Sequence, residues 1–382
     1  MTDAESVSPI RVTLVTHYYA SHRGGVELVA WELASRLARS GVADITWWAS
    51  DTDAPPEELP RMRARAARAC NVFERRLKFP FPLWSPAALL ALVRSVRACD
   101  VVHLHDCVYL PNVVAWAAAK LYRRPVVVTQ HVGLVPYRNR LLRTAHAGAN
   151  AILGRMVLGS AAQCVFVSEV VRRYFAGFVA FQRAPLRLPN GVDVAVFRPA
   201  GDDERHRLRS ALDVGDSPLL LFVGRFVEKK GLPMLQRLAA ALPQACWIFA
   251  GWGPLDPGAW RLANVSVRYN AGRDELARLY QAADLLVLPS VGEGFPLVVQ
   301  EAMACGTPAL VTDETAAGCP EAADVLLSEP LGSGWAARIE HLLRDPQRLR
   351  AMRARVAQYA RANWSWERCA ERYAEVLRAC VS

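Results

Sequence analysis

The sequence has no Cys-x-x-Cys pair, no low-complexity tract, no repeat at a fixed period and no apolar run suited to a bilayer. Each absence removes a class of protein. The nine cysteines (70, 99, 107, 164, 246, 305, 319, 369 and 380) lie scattered, mostly among apolar neighbours. That is the usage of reduced, packed thiols and points to the cytoplasm rather than to a disulfide scaffold. A spanning helix needs roughly 20 apolar residues, and none is visible. The first apolar run, Ile10–Val15, follows an acidic start and reads as a buried strand rather than a secretory signal. No Gly-x-Gly-x-x-Gly fingerprint is present, which disfavours a dinucleotide cofactor. His103 and His105 close an apolar run ahead of Asp106, but a third partner at metal spacing is missing, so no metal site is expected.

What remains is a folded chain of 382 residues, 52% hydrophobic and 21% charged, long enough for two hydrophobic cores. Short β-type runs alternate with helical patterns. Arg11–Val15, Ile45–Ser50, Val101–His105, Pro125–Thr129 and Cys164–Val167 read as strands, with helices over Val26–Ser40, Ser85–Cys99 and Pro111–Tyr122 between them. Apolar runs without strict alternation indicate strands buried on both faces, hence a parallel sheet with crossover helices. Turn chemistry gathers at Leu188–Asp193 and a polar stretch at Gly201–Glu204, placing a domain junction near 189–204. The rhythm then restarts with strands at Leu219–Val223, Ala245–Ala250, Leu285–Leu288 and Ala309–Val311, and it ends in an amphipathic helix from Trp364. The fold class expected is α/β, two Rossmann-like doubly wound domains facing across a cleft. They cover 1–190 and 201–363, with the helix 364–382 packing back onto the first.

The net charge of +10 is uneven: residues 1–200 carry +11 and residues 201–382 carry −1. A basic half suggests an anionic partner. Arg61, Arg63, Arg65, Arg68, Arg75, Arg76 and Lys78 cluster ahead of Phe79–Trp84. Arginines beside aromatics suit an anionic membrane surface or a lipid diphosphate, and they equally suit a solvated helix. No nucleic-acid recognition motif accompanies the charge, so no nucleic-acid partner is expected.

The most informative segment runs from Pro289 to Pro308, PSVGEGFPLVVQEAMACGTP. It follows a strand, passes through a glycine-containing loop and enters a helix near Pro296, which Gly306 and Pro308 stop. A helix start beyond the carboxyl end of a strand is a ready anion site. Gly294 permits close approach, and Phe295 and Leu297 are the backbone donors, since Pro296 has no N–H. Glu293 and Glu301 flank this start with seven residues between them. Carboxylates accept paired hydrogen bonds from vicinal hydroxyls, so acids beside an anion site suit a ligand carrying phosphate between two sets of hydroxyls. Arg225, just past a strand, and Lys230, before Gly231, supply cations for a departing diphosphate, with Lys229 as the adjacent competitor.

These words resemble the Glu-x7-Glu signature of retaining glycosyltransferases of family 4, and the similarity runs in order from about Arg11 to Arg378. The resemblance implies a GT-B architecture and a nucleoside-diphosphate sugar as co-substrate. It assigns Glu293 to the transferred sugar, Glu301 to the ribose, and Arg225 and Lys230 to the pyrophosphate. It places Gly272 beside the base and the Gly24-Gly25 turn facing the diphosphate and acceptor, with Gly25 among the donor-binding residues, and makes His131 the histidine near the transferred sugar. It also implies retention of configuration and no metal or other cofactor. The expected acceptor is a hydroxyl of a glycan or lipid-linked molecule, in cell-surface polysaccharide or glycolipid assembly, with the enzyme cytoplasmic or peripheral on the membrane's inner face. An epimerase or hydrolase on the same fold, or a non-catalytic sugar-nucleotide-binding protein that docks on membranes, would use many of the same residues.

Overall fold

A computed structural model describes residues 8–22, 24–72, 81–135 and 139–381. The chain divides into two compact units, one made of residues up to Asn190 plus the stretch from Trp366, the other of Gly191–Ser365.

The first unit holds β1 (Ile10–Val15), β2 (Ala43–Ser50), β3 (Met62–Ala67), a small antiparallel pair β4 (Ala69–Cys70) and β5 (Leu83–Trp84), then β6 (Val101–His105), β7 (Val126–Gln130), β8 (Gln163–Phe166) and β9 (Leu186–Arg187). Seven of these strands form one parallel sheet in the order β3-β2-β1-β6-β7-β8-β9. Side chains alternate between its faces. Ile10, Val12 and Leu14 pack with Leu33, Leu37 and Tyr373 on one side, while Val15, Val102 and Leu104 pack with Leu92 and Val96 on the other. Both faces are covered by helices, which explains why these strands are apolar throughout.

The helix Trp366–Val381 lays Trp366, Ala370, Tyr373, Ala374 and Leu377 against this unit, at spacings of three and four. Arg36 ties it down, with Nε donating to Glu367 at 3.2 Å and its guanidinium over the Trp366 ring. It starts two residues later than the sequence pattern suggests. Trp364 closes the preceding helix, Pro346–Trp364, and its carbonyl accepts from Val192 N at 2.6 Å.

The second unit contains β10 (Leu219–Arg225), β11 (Cys246–Trp252), β12 (Val265–Tyr269), β13 (Leu285–Leu288), β14 (Ala309–Thr312) and β15 (Leu327–Glu329), in the parallel order β12-β11-β10-β13-β14-β15. Asp202–Glu204, expected within the polar junction, instead open the helix Asp202–Ala211, where three acids complement the positive end of the helix dipole.

The architecture is α/β, with a parallel sheet in each of two Rossmann-like halves. In both, the strand order reverses once: between β1 and β6 in the first unit, and between β10 and β13 in the second. The carboxyl edge at such a reversal is where open α/β sheets place their ligands, because the two flanking loops diverge there.

Candidate functional site

In the second unit the candidate residues meet at that reversal. β10 ends on Arg225, and the following turn carries Lys230 into Gly231 and the helix Leu232–Ala241. β13 ends on Leu288 and leads through the glycine loop to the helix Leu297–Ala304, with Pro296 as its N-cap. The two loops are stitched together: Val291 N donates to the Lys229 carbonyl at 2.9 Å. Gly231 has φ +82°, and a Cβ there would lie 2.5 Å from the Pro289 carbonyl oxygen, so glycine is what lets the loops close up.

Lys230 Nζ lies 3.0 Å from Glu293 Oε1, with both side chains largely buried, while the more exposed Lys229 stands at 3.7 Å. Lys230, not Lys229, is therefore the inner cation. Burial pulls its pKa below the ordinary lysine value, and Glu293 opposes that fall. The Glu293 Oε1 atom is shut off from solvent and faces the ammonium groups of both lysines.

Glu301 sits on the helix and accepts a 3.0 Å hydrogen bond at Oε2 from the buried Tyr280 hydroxyl. Burial, and then the neighbouring carboxylate, push the Tyr280 pKa far up, so the phenol stays a donor and fixes the carboxylate's orientation. Phe295 is buried with its ring 5.4 Å from Trp364. Its side chain thus anchors the loop, which leaves its backbone N–H, with those of Leu297 and the helix start, as the part able to meet an anion. Gly294 lies in the same loop and is part-buried. Arg225 is exposed and stacks its guanidinium on Trp252, 4.8 Å from the ring centroid. Gly272 is the N-cap of the helix Arg273–Ala282, with open space where a side chain would project.

In the first unit, the helix Gly25–Arg39 starts after β1 with Gly24 as its N-cap. A side chain at Gly24 would collide with the Glu27 carboxylate, whereas Gly25 faces open space. Glu27 Oε1 is 2.9 Å from His17 Nε2, both buried, and the His17 ring stacks on Tyr109 at 4.0 Å. Burial drives the Glu27 pKa up, but His17 outweighs it and holds the carboxyl below its ordinary value. Beside this pair, at the ends of β6 and β7, His105 Nδ1 and His131 Nε2 are 2.9 Å apart, and His131 N donates to Asp106 at 2.8 Å. Asp106 adopts φ +64° and also accepts from Val132 N at 3.2 Å, so it orders the strand-end turn. His103 bonds Thr129 Oγ1 at 2.8 Å, which in turn meets the Tyr373 hydroxyl at 3.0 Å. Burial lowers the pKa of His103 to about 3, and lowers those of His105 and His131 too, so this cluster is neutral at pH 7. Among the described residues no three metal-ligating side chains converge.

The described part of the basic cluster, Arg61 to Arg68, is not a helix. Arg63 and Arg65 project from the edge strand β3 and are exposed, as is Arg68. Arg61 is paired with Asp44 at 3.0 Å. Arg65 and Arg68 line a groove of about 790 Å³ between β3 and the helix Pro86–Ala98, with Trp48, Ala64 and Ala88 among its walls. Arg75, Arg76 and Lys78 lie outside the described residues. Among the described residues no helix is long and apolar enough to cross a membrane.

Residues 23–196 match the model for glycosyltransferase family 4, and residues 217–345 match that for glycosyl transferases group 1. The D-inositol 3-phosphate glycosyltransferase of Kineococcus radiotolerans is 30% identical over 401 aligned residues, covering 94% of this chain and 91% of the relative. The chain belongs to the family 4 glycosyltransferases. The enzyme of the same name from Mycobacterium tuberculosis is 31% identical over 378 residues, covering 90% of this chain and 76% of its own. Among solved structures, sucrose-phosphate synthase from Thermosynechococcus elongatus shares the fold with a TM-score of 0.78 at 22% identity, over 97% of this chain and 98% of its own. Anabaena HepE, solved with UDP and glucose, has a TM-score of 0.73 at 18% identity, over 97% of this chain and 99% of its own.

Membership of this family makes the protein a glycosyltransferase. The sequence pattern did not single out His17, Tyr109, Trp252 or Tyr280. His17 and Glu27 could have been found together, since a strand, tight turn and helix bring the first residues after β1 beside the first helical turn. Trp252 and Arg225 are register partners on β10 and β11, which only the sheet reveals.

Proposed function

We propose that the protein transfers a sugar from a nucleoside-diphosphate sugar to an acceptor hydroxyl with retention of anomeric configuration and without a metal ion. The observation that carries this reading is the buried Lys230–Glu293 pair beside a helix start. One cation is held at the leaving diphosphate and one carboxylate at the sugar, in adjoining positions. Arg225, Lys230 and the N–H groups at Phe295, Gly294 and Leu297 stabilise the negative charge that develops on the departing diphosphate. Glu301, held by Tyr280, accepts from the ribose hydroxyls, and Gly272 leaves room for the base. Reaction proceeds on one face: the glycosidic C–O bond to the phosphate breaks, the acceptor oxygen bonds the anomeric carbon, and the departing phosphate oxygen takes the acceptor proton. His131, neutral, hydrogen-bonds a hydroxyl of the transferred sugar.

The acceptor we propose is a glycan or lipid-linked molecule bearing negative charge, taken by the first unit, in polysaccharide or glycolipid assembly. Relatives are named for a phosphorylated inositol, and a structural neighbour binds UDP and glucose; both are consistent with a uridine donor and an anionic acceptor. The test is transfer from UDP-glucose, with and without excess chelator, and the anomeric configuration of the product read by NMR. Retention with activity kept in chelator supports the proposal. Inversion, or activity abolished by chelator and restored by magnesium or manganese, refutes it.

A further inference from the structure

The second unit has a cavity of about 400 Å³ apart from the candidate donor site. One wall is the stretch 323–328, which leads into β15 at the amino end of that edge strand. The donor site stands at the carboxyl ends of β10 and β13, so the two lie toward opposite ends of parallel strands, with β14 between them. Arg338, on the helix Trp335–Leu343, and Arg348, Ala351, Met352 and Arg355, on the helix Pro346–Trp364, form the other walls. Positions 348 and 355 are seven apart, two helical turns, so they share a face.

Arg348 and Arg355 are exposed and Arg338 is half-buried, and the exposed Asp324 shares the wall with them, so water and this acid screen part of their mutual repulsion. Some other arginines of this unit are paired, Arg205 and Arg209 with Asp284 and Arg273 with Asp193, while among the described residues exposed ones such as Arg237 and Arg261 meet no carboxylate. Among the described residues, Arg338, Arg348 and Arg355 pair with no carboxylate, and Arg355 donates only to the Asp324 carbonyl oxygen, at 3.3 Å. The Arg338 Nε–H is shut off from solvent and has no acceptor. Arg338 as a whole is half-buried, and an anion bound against this N–H would supply the acceptor it lacks. The surrounding half of the chain carries −1, so the trio is a local concentration rather than a share of a general excess.

We propose that this cavity binds a phosphate monoester. The planar forks of three arginines match phosphate oxygens. Asp324 and Ser328, also in the wall, accept hydrogen bonds from hydroxyls of the esterified alcohol. The volume falls in the range of about 300–1,000 Å³ usual for small-molecule sites, with room for more than a bare phosphate. The ester can be a soluble sugar phosphate or a lipid headgroup.

The test uses the full chain, with glucose 6-phosphate by calorimetry and phosphatidylcholine vesicles carrying phosphatidic acid by co-sedimentation. The variants are the pair Arg348→Gln and Arg355→Gln and, as a control for the donor site, the pair Arg225→Ala and Lys230→Ala. The expected result is that the parent binds one of the probes, the first pair weakens it by about tenfold or more, and the second pair leaves it intact. Binding of glucose 6-phosphate identifies a soluble ester, and binding of the vesicles alone a lipid headgroup. An unchanged melting transition shows that the glutamine variant is folded; if it is not, Arg355→Lys, which keeps the charge and loses the fork, takes its place with a smaller loss expected. No binding of either probe, binding that the Arg348 and Arg355 variant leaves unchanged, or binding lost only in the Arg225 and Lys230 pair, overturns the proposal.

Discussion

Lys230 and Glu293 meet at 3.0 Å although they belong to loops after different strands, β10 and β13, and this contact joins the cation of one loop to the carboxylate of the other. It gives each residue two jobs, one in holding the loops and one in the proposed chemistry, and the two can be separated experimentally.

Lys230→Met should lower turnover by roughly 10²–10³-fold, the effect of removing one donor aimed at developing charge. It should also lower stability, by less than the roughly 3 kcal/mol of a fully broken buried pair, because the carboxylate loses its nearer cation and keeps Lys229 at 3.7 Å. Adding Glu293→Gln should recover much of the stability and none of the turnover. Thermal melts and transfer rates on the single and double variants check both parts.

Trp252→Ala should leave the fold intact while reducing turnover. The Arg225 guanidinium stacks on this ring, and an exposed cation–π contact is worth about 0.5–1 kcal/mol, so a loss of roughly two- to fivefold is expected. Trp252→Phe should restore part of it. Equal rates in all three proteins would show that the stack does not position Arg225.

Acid should destabilise the first unit through its histidines. His103 has a folded-state pKa of about 3 against an ordinary 6.5 because it is buried, and His131 is lowered for the same reason. The unfolded chain therefore binds protons that the folded one refuses. Stability is fully present above pH 6.5 and falls as the pH drops from 6.5 toward 3, with a slope approaching about 1.4 kcal/mol per pH unit for each such histidine. Denaturant melts of the parent and of His103→Gln between these limits test it: the variant should show the shallower dependence.

Much of the fold was legible because strands buried on both faces read as plain apolar runs, as Leu219–Val223 and Val101–His105 do. β3 was not. Its sequence, Met-Arg-Ala-Arg-Ala-Ala, belongs to an edge strand whose outward positions carry arginine, and it reads as part of a basic cluster. β15 has only three residues, too few for a period to show. In the site, the acids and cations were visible as residue types beside a strand–loop–helix pattern. Their pairing was not, since Lys230 finds Glu293, and Tyr280 finds Glu301, only once the sheet has set the order of its strands.

Arg63, Arg65 and Arg68 are exposed around the β3 edge, whereas Arg61 is already paired with Asp44. Reversing the charge of the first three should weaken co-sedimentation with anionic vesicles in a salt-sensitive way, each residue contributing about 1 kcal/mol near such a surface. Nucleoside-diphosphate affinity should not move. A parent that ignores anionic vesicles at low salt would show that the cluster is a solvated edge.

Calorimetric titration of UDP into Glu293→Ala and Glu301→Ala, paired with transfer rates, decides whether the two glutamates divide the donor as proposed. In the proposed site Glu301→Ala would remove charge-assisted hydrogen bonds to the ribose, each worth about 1.5–3 kcal/mol, so UDP affinity should fall by at least roughly tenfold. Glu293→Ala would remove the proposed sugar contact, and should leave UDP affinity nearly unchanged while turnover collapses through misplacement of the anomeric carbon. Equal losses of UDP affinity in the two variants, or no loss in either, would contradict the account.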